Sequence, residues 1–276
     1  MGTQLMDCGL GSGDCGMLWN TLHSNRVRGI HQFYAEAGCN LLTTNTFGGT
    51  SYALDRHGLA DHVLKLNRAG AQVAREAIGK SGWVLGDVGP FGDFMEPLGQ
   101  TSADELCAMF REQIAALAEG GVDAILIETM SDPAEMEVAI AASKQAASLP
   151  IIGTYAFQKS GETGFRTMMG APVKEAIERA IAAGADIVGT NCGVELSFGD
   201  YLELARQIVS AAGKTPVILQ PNAGSPQLVN GEIIYNATPE EMAALTADLL
   251  DAGVRIVGGC CGTNPGHLAA MSRRIG

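Results

Sequence analysis

The segment that decides the fold reads Gly120-Gly121-Val122-Asp123-Ala124-Ile125-Leu126-Ile127-Glu128. A glycine that can adopt the left-handed conformation ends a helix, and the unbroken apolar run after it is typical of a strand buried on both faces. The polar residue Glu128 stands seven positions after the glycine. The segments 37–45, 183–191 and 252–260 repeat this pattern, and each ends on a polar residue or cysteine: Asn45, Asn191 and Cys260.

Helical patterns separate these apolar runs. They cover 102–119, 134–147, 172–183, 200–212 and 239–252, and a last helix begins at Asn264-Pro265. The four remaining strands are expected at Gln4–Cys8, Trp83–Val88, Pro150–Ala156 and Pro216–Pro221. Eight strand–helix units in 276 residues predict an α/β fold, a single (β/α)8 TIM barrel that spans residues 1–276 as one domain. The alternative is a doubly wound sheet, with Gly9-Leu10-Gly11-Ser12-Gly13 as an imperfect dinucleotide loop.

Two segments are predicted to leave this regular alternation. Asn230-Gly231 lies between two short apolar runs, which indicates a hairpin in the loop after the seventh strand. Residues 159–164 are rich in glycine and polar side chains and are expected to form a loop after the fifth strand.

Composition excludes several classes of protein. The formal net charge of −12 argues against nucleic acid as a partner, because phosphate binding requires clustered Lys and Arg. The apolar runs are shorter than the roughly 18 residues that span a bilayer, and the N-terminus lacks the pattern of a signal peptide. The seven cysteines are an odd number, which favours a reducing compartment over a disulfide framework. We therefore expect a cytoplasmic protein without a membrane partner.

Three cysteines are expected to meet at one face of the barrel. The carboxyl ends of barrel strands share that face; Cys192 follows the sixth strand, and Cys260 and Cys261 follow the eighth. Three thiolates suit a tetrahedral zinc ion and leave the fourth position open, as in catalytic zinc sites. A substrate thiol is a natural fourth ligand, because zinc deprotonates a coordinated thiol. The alternative is that these cysteines are small buried hydrophobic residues.

The motifs around these cysteines resemble the homocysteine S-methyltransferase family over almost the whole chain. The matching segments are Asp7-Cys8-Gly9-Leu10-Gly11-Ser12 (with several changes), Thr44-Asn45-Thr46-Phe47-Gly48-Gly49-Thr50, Gly86-Asp87-Val88-Gly89-Pro90, Ile127-Glu128-Thr129, Asn191-Cys192-Gly193, Gln220-Pro221-Asn222-Ala223-Gly224 and Gly258-Gly259-Cys260-Cys261-Gly262-Thr263-Asn264-Pro265. The resemblance implies Zn2+ on the three cysteines, with the homocysteine thiolate bound to it. It also implies that Asp7 and Glu128 bind the substrate amino group, and that the other substrate-binding residues are Asn45, Thr129 and Asn191.

The sequence specifies the methyl donor less closely than the methyl acceptor. Leu18-Trp19-Asn20 and Gly164–Gly170 look most like bacterial betaine-type enzymes of the family, whereas Gly48 replaces a tyrosine of the vertebrate betaine enzyme. A trimethylammonium donor requires aromatic faces, and the candidates are Trp19, Phe47 and Tyr155. The alternatives are a methyltransferase that works with a separate corrinoid protein, a non-catalytic zinc- or thiol-binding protein, and a dinucleotide-dependent oxidoreductase.

Overall fold

The structure is a computed structural model that describes residues 1–11, 13–161, 164–229 and 232–276. The chain divides into two compact units. The first comprises residues 1–36, 40–128 and 134–152, and the second comprises residues 37–39, 129–133 and 153–276.

The first unit alternates strands and helices. Its helices are α1 (Gly2–Asp7), α2 (Trp19–Leu22), α3 (Ser24–Glu36), α4 (Ser51–Asp55), α5 (Val63–Ile78), α6 (Ala103–Glu119) and all but the first residue of α7 (Pro133–Ala146), with short 3-10 helices at Gly16–Leu18 and Ala60–His62. Its strands are β1 (Leu41–Thr43), β2 (Trp83–Val88), most of β3 (Ala124–Met130) and the start of β4 (Ile151–Tyr155). They are parallel neighbours in the order β1-β2-β3-β4.

Continuous burial explains why β2 and β3 form the centre of this unit. Every residue of β2 after Trp83 is buried, and so are the first four residues of β3, as expected for parallel strands covered on both faces. Helix α6 begins with a capping box between Ser102 and Glu105. Its Leu117 packs so closely on Gly86 that a larger residue in the strand would crowd it.

The second unit continues the same alternation. Its strands are the end of β4, then β5 (Phe157–Ser160), β6 (Gly164–Thr167), β7 (Ile187–Asn191), β8 (Val217–Gln220), β9 (Gln227–Val229), β10 (Glu232–Ile234) and β11 (Ile256–Val257). Its helices are α8 (Val173–Ala183), α9 (Phe198–Ala212), α10 (Pro239–Asp251) and α11 (Pro265–Ile275). The parallel order is β4-β7-β8-β11, and β5–β6 and β9–β10 are antiparallel pairs outside it.

The expected α/β fold is confirmed, but one expected strand is wrong. Residues Gln4–Cys8 belong to helix α1 and its C-cap, so the described residues contain seven parallel strands and not a complete barrel of eight. The segment lacks the character of a buried strand, because Leu5 is its one buried residue and the residues around it are good helix formers. The six predicted helices are confirmed, with ends that differ by no more than two residues.

The structure also tests the predicted dinucleotide loop at Gly9–Gly13 and the two segments predicted to interrupt the strand–helix alternation. Gly9–Gly13 follows a helix, whereas a dinucleotide loop must follow a strand; Ser12 lies outside the described residues. The hairpin at β9–β10 is confirmed by its antiparallel pairing, although Asn230 and Gly231 themselves lie outside the described residues. The loop prediction for 159–164 is wrong at its ends, which belong to the β5–β6 hairpin; Glu162 and Thr163 lie outside the described residues. In the described part of the chain no helix is both long and apolar enough to cross a bilayer.

Candidate metal centre and substrate site

Three sulfur atoms of the second unit lie together as predicted. The Sγ atoms of Cys192, Cys260 and Cys261 are all within 4.8 Å of one another. Cys192 Sγ lies 3.9 Å and Cys260 Sγ 4.0 Å from Cys261 Sγ. Zn–S bonds of about 2.3 Å in a tetrahedron place neighbouring sulfurs about 3.8 Å apart. The donor set and its spacing therefore fit a zinc ion bound by three cysteines.

Cys192 is held by its main chain. It follows β7 directly and has a φ of +55°, a left-handed conformation that costs energy for a residue other than glycine. Its N–H donates to Gln220 O at 3.1 Å, and its carbonyl accepts a hydrogen bond of 2.5 Å from the Tyr201 hydroxyl. The same hydroxyl accepts from Asn222 N at 3.2 Å. Tyr201, on α9, thus fixes both the Cys192 loop and the segment after β8.

Cys260 and Cys261 are tied to that same segment after β8. Cys260 N donates to Pro221 O at 2.8 Å, and Cys261 N donates to Asn222 Oδ1 at 3.1 Å. Gly262 follows with a φ of +77°, and its Cα lies against the ring of Tyr235. Two successive cysteines therefore reach one point because a glycine turns the chain immediately behind them.

The sulfurs interact electrostatically with one another. Hydrogen bonds from Cys192 and Cys260 lower the pKa of the Cys261 thiol far below its usual value, with a further contribution from Tyr235. Burial, and next the negative charge on Cys261, raises the pKa of the Tyr235 phenol. The lowered pKa favours the thiolate form of Cys261, which is the ionisation state that metal binding requires.

Asn191 connects the cysteine cluster to the neighbouring strand ends. Its side chain is fully buried, and its Oδ1 accepts from Thr129 N and from Thr154 Oγ1, both at 2.8 Å. Its Nδ2 donates to Thr129 Oγ1 at 2.7 Å and lies 3.8 Å from Cys260 Sγ. Thr129 has a φ of +62°, which is unusual for a β-branched residue. Asn191 thus holds a strained residue in place and presents an N–H group to a candidate ligand sulfur.

In the first unit, the ends of β2 and β3 bring two carboxyl groups together. Asp87 pairs with Leu126 in the parallel register, and Glu128 is two residues further on, so both side chains emerge from the same face of the sheet. Asp87 is 4% exposed and Glu128 is half-buried. Burial, and next the negative charge of Glu128, raises the pKa of Asp87 well above its usual value.

The raised pKa of Asp87 predicts how stability depends on pH. Above an unfolded-state pKa of about 3.9, the unfolded chain loses a proton that the folded protein retains, so stability falls as pH rises towards the folded-state pKa. The uncharged variant Asp87→Asn removes this loss. We expect urea unfolding at a series of pH values from about 4 upwards to show a gain in stability for Asp87→Asn over the wild type that increases with pH until the folded-state pKa is reached. Parallel stability profiles would contradict the prediction, and the exposed substitution Asp61→Asn is the matched control.

The other expected substrate residues have different surroundings. Asp7 lies exposed on α1, where its carboxylate accepts from Gln4 Nε2 at 3.2 Å, and not at a strand end. Asn45 follows β1 and is 8% exposed, and its Nδ2 donates to Gly16 O and to Asn20 Oδ1, both at 2.9 Å. The Asn45 amide nitrogen therefore holds the neighbouring backbone.

The three candidate donor residues differ in how much of each ring is accessible. Trp19 is 8% exposed, packs in the core, and has the Arg26 guanidinium 5.3 Å from its ring centroid. Tyr155 ends β4, is fully buried, and packs against Phe157 at 5.9 Å between ring centroids. Phe47 is 44% exposed, with its ring against Gly89. Phe47 is thus the most accessible of the three.

Sequence reasoning missed Tyr201 and Tyr235. Both contact the cysteine loops through groups that no local pattern reveals, because Tyr201 occupies a core position of an amphipathic helix and Tyr235 follows a hairpin. Asp87 lies in the predicted strand Trp83–Val88 and in a motif of the family, but neither pattern reveals that its side chain is buried.

Comparisons with known proteins identify the family of the chain. The family model described as homocysteine S-methyltransferase matches residues 1–275. The chain is 29% identical to methionine synthase of Mycobacterium tuberculosis and to that of Mycobacterium leprae, over all of its own length but 24% of theirs. It therefore spans about a quarter of the length of these relatives.

Solved structures resemble its fold. The metallated form of the homocysteine methyltransferase MmuM from Escherichia coli has a TM-score of 0.79 at 20% identity, with 99% of this chain and 93% of that chain covered. A methyltransferase from Methanosarcina mazei has a TM-score of 0.55 at 10% identity, with 91% and 84% covered. At these identities the likeness concerns the fold alone. The family match over residues 1–275 shows that the chain belongs to the homocysteine S-methyltransferase family.

Proposed function

We propose that this chain is the catalytic domain of a zinc-dependent enzyme that transfers a methyl group from a small donor to the thiol of homocysteine, forming methionine. The observation that carries the proposal is the spacing of the three sulfurs, 3.9 and 4.0 Å for two of the pairs, which matches the edge of a zinc–sulfur tetrahedron. Family membership supports the acceptor, and a structural neighbour is described as metallated.

Different residues of the chain are proposed to bind the metal ion and the substrate. Cys192, Cys260 and Cys261 hold the ion, which when bound would act as a Lewis acid that favours the thiolate form of a coordinated substrate thiol. Asn191 orients Thr129 and Cys260. Glu128, covalently next to Thr129, is proposed to bind the substrate ammonium group, because a carboxylate and an ammonium form charge-assisted hydrogen bonds. The proposed roles of Asp7, Asn45 and Thr129 in substrate binding stay predictions from the resemblance.

The reaction itself is a substitution at a methyl carbon. A bond forms between the substrate sulfur and the methyl carbon while the bond from that carbon to the donor breaks and its electron pair leaves with the donor. The thiol proton goes to solvent. Holding the two reactants in line provides much of the rate enhancement in such a step.

We propose a betaine-like donor, with Phe47 as the residue most able to contact its cationic group because its ring is the most exposed of the three candidates. The proposal for Trp19 is weakened because the chain's own Arg26 already lies over its ring. Tyr155 would contact a donor only after rearrangement, since it is fully buried.

A second candidate is a methyltransferase domain that receives its methyl group from a separate corrinoid protein. It is favoured by the relatives named methionine synthase, of which this chain spans 24%. A third candidate is a non-catalytic protein that binds zinc or a thiol. It predicts the same metal centre but no formation of methionine.

A donor panel separates these candidates. Zinc-loaded protein is incubated with homocysteine and either betaine, S-methylmethionine or methylcobalamin, and methionine is quantified; chelator-treated protein is the control. We expect methionine with betaine and none after zinc removal. Turnover with methylcobalamin alone favours the corrinoid candidate, and zinc binding without methionine from any donor contradicts the proposed function.

A further inference from the structure

Asp87 is a buried carboxyl group without a hydrogen-bonding partner for one of its oxygens. The residue is 4% exposed, and within the described part of the chain its Oδ1 accepts no hydrogen bond. Buried polar atoms are nearly always paired, and a buried carboxyl is among the most costly groups to leave unpaired. The unpaired carboxyl group of Asp87 therefore destabilises the folded protein, and a bound partner would offset that destabilisation.

The backbone of Asp87, by contrast, is fixed by three fully buried side chains. Asp87 N donates to Thr44 Oγ1 at 2.9 Å, while its carbonyl accepts from Thr46 Oγ1 at 2.7 Å and from Gln113 Nε2 at 3.2 Å. The two hydroxyls lie 2.6 Å apart. Because Thr46 uses its hydrogen on Asp87 O, Thr44 is the donor between them. This network holds the Asp87 main chain in place and leaves its carboxyl oxygen unsatisfied.

The neighbour of this carboxyl is a second one. Glu128 emerges from the same face of the sheet, one strand away, and its charge acts on Asp87. Two carboxyl groups in one buried place repel when both are ionised, so a cation between them relieves that repulsion and supplies the missing hydrogen bond. An ammonium group fits this role because it carries one positive charge and three donors.

We propose that Asp87 acts together with Glu128 to bind the ammonium group of the amino-acid substrate. The inference rests on the proposed function, since it takes homocysteine as the ligand, and it adds a residue to that site. It also accounts for the position of Asp7, which the resemblance assigned to this group but which lies exposed on α1. Asp87 is then a specificity residue, which distinguishes an amino acid thiol from a thiol without an amino group.

Binding measurements on two ligands test this without a methyl donor. Zinc-loaded wild type, Asp87→Asn and the exposed control Asp61→Asn are titrated by calorimetry with homocysteine and with 4-mercaptobutyrate, which is homocysteine without its amino group. We expect Asp87→Asn to bind homocysteine about tenfold more weakly, because a charge-assisted hydrogen bond becomes a neutral one. Its affinity for 4-mercaptobutyrate and both affinities of Asp61→Asn should stay at wild-type values. Asparagine is close in shape to an uncharged aspartic acid, so the variant is expected to fold.

The outcomes separate failure of the inference from failure of the proposed function. Equal preference for homocysteine over 4-mercaptobutyrate in wild type and Asp87→Asn overturns the role of Asp87 alone. Equal weakening of both ligands by Asp87→Asn also overturns it, because the effect would not depend on the ammonium group. Failure of the wild type to bind either thiol rejects the proposed function and the inference with it.

Discussion

Replacing Cys192, Cys260 or Cys261 by alanine is expected to remove zinc and methionine formation together. The free energy of zinc binding at a four-ligand site is about 10–16 kcal/mol, so one ligand accounts for about 3 kcal/mol and its loss weakens binding by more than about 100-fold. Each variant should therefore retain little metal after dialysis, with turnover reduced in proportion to the zinc lost. Zinc content by atomic spectroscopy and methionine formation on the same samples provide the measurement.

Cys107→Ala is the matched control for these variants. Cys107 is also a free, partly buried cysteine, but it lies on α6 in the first unit and not in the sulfur cluster. We expect it to keep wild-type zinc content. If any single alanine variant of the cluster bound zinc with wild-type affinity, that cysteine would not be a ligand.

The second large effect is expected at Asn191. Alanine there removes the partner of the buried Thr154 hydroxyl and of the partly buried N–H and hydroxyl of Thr129. Each buried group left unsatisfied costs about 1–3 kcal/mol, so we expect the free energy of unfolding of the metal-free protein to fall by about 3 kcal/mol. Because Asn191 also contacts Cys260 Sγ, zinc affinity should fall about 10- to 100-fold, as for other residues that orient metal ligands.

Urea unfolding in the presence of a chelator measures the first effect, since bound metal would add its own stabilisation. Competition with a chromophoric chelator measures the second. The control is Thr246→Val, which removes one buried hydroxyl on α10 that donates to Met242 O at 2.8 Å, and which should leave zinc affinity unchanged. An Asn191→Ala protein with wild-type zinc affinity would show that the amide does not support the metal centre.

The cluster of three cysteines was predictable because its sequence signals are chemical and local. Cys192 and Cys260-Cys261 follow apolar runs that form the parallel strands β7 and β11, and parallel strands place their carboxyl ends at one edge. Seven of the eight expected strands were predicted correctly, because each is a short apolar run between helical patterns. The prediction failed at Gln4–Cys8, where a strand was assigned to complete the count of eight although the residues favour a helix.

Contacts that depend on tertiary packing were not predictable. Tyr201 occupies a helix position that its pattern assigns to the core, yet its hydroxyl fixes the Cys192 loop. Asp87 lies in the predicted strand Trp83–Val88, but its raised pKa depends on burial and on the register with β3, which places Glu128 on the same face of the sheet. The surroundings of Trp19 were not predictable either, because its packing in a buried cluster and its contact with Arg26 depend on distant parts of the chain.

X-ray absorption at the zinc edge tests the central claim most directly, because it counts the sulfur atoms bound to the metal. The zinc-loaded protein should show three sulfur ligands at about 2.3 Å, and addition of homocysteine should raise the number to four. Homoserine, which has a hydroxyl in place of the thiol, should leave the spectrum unchanged. A spectrum with three sulfurs in the free protein and four with homocysteine is the result we predict. A spectrum with fewer than three sulfurs, or one that homocysteine does not change, would contradict the account.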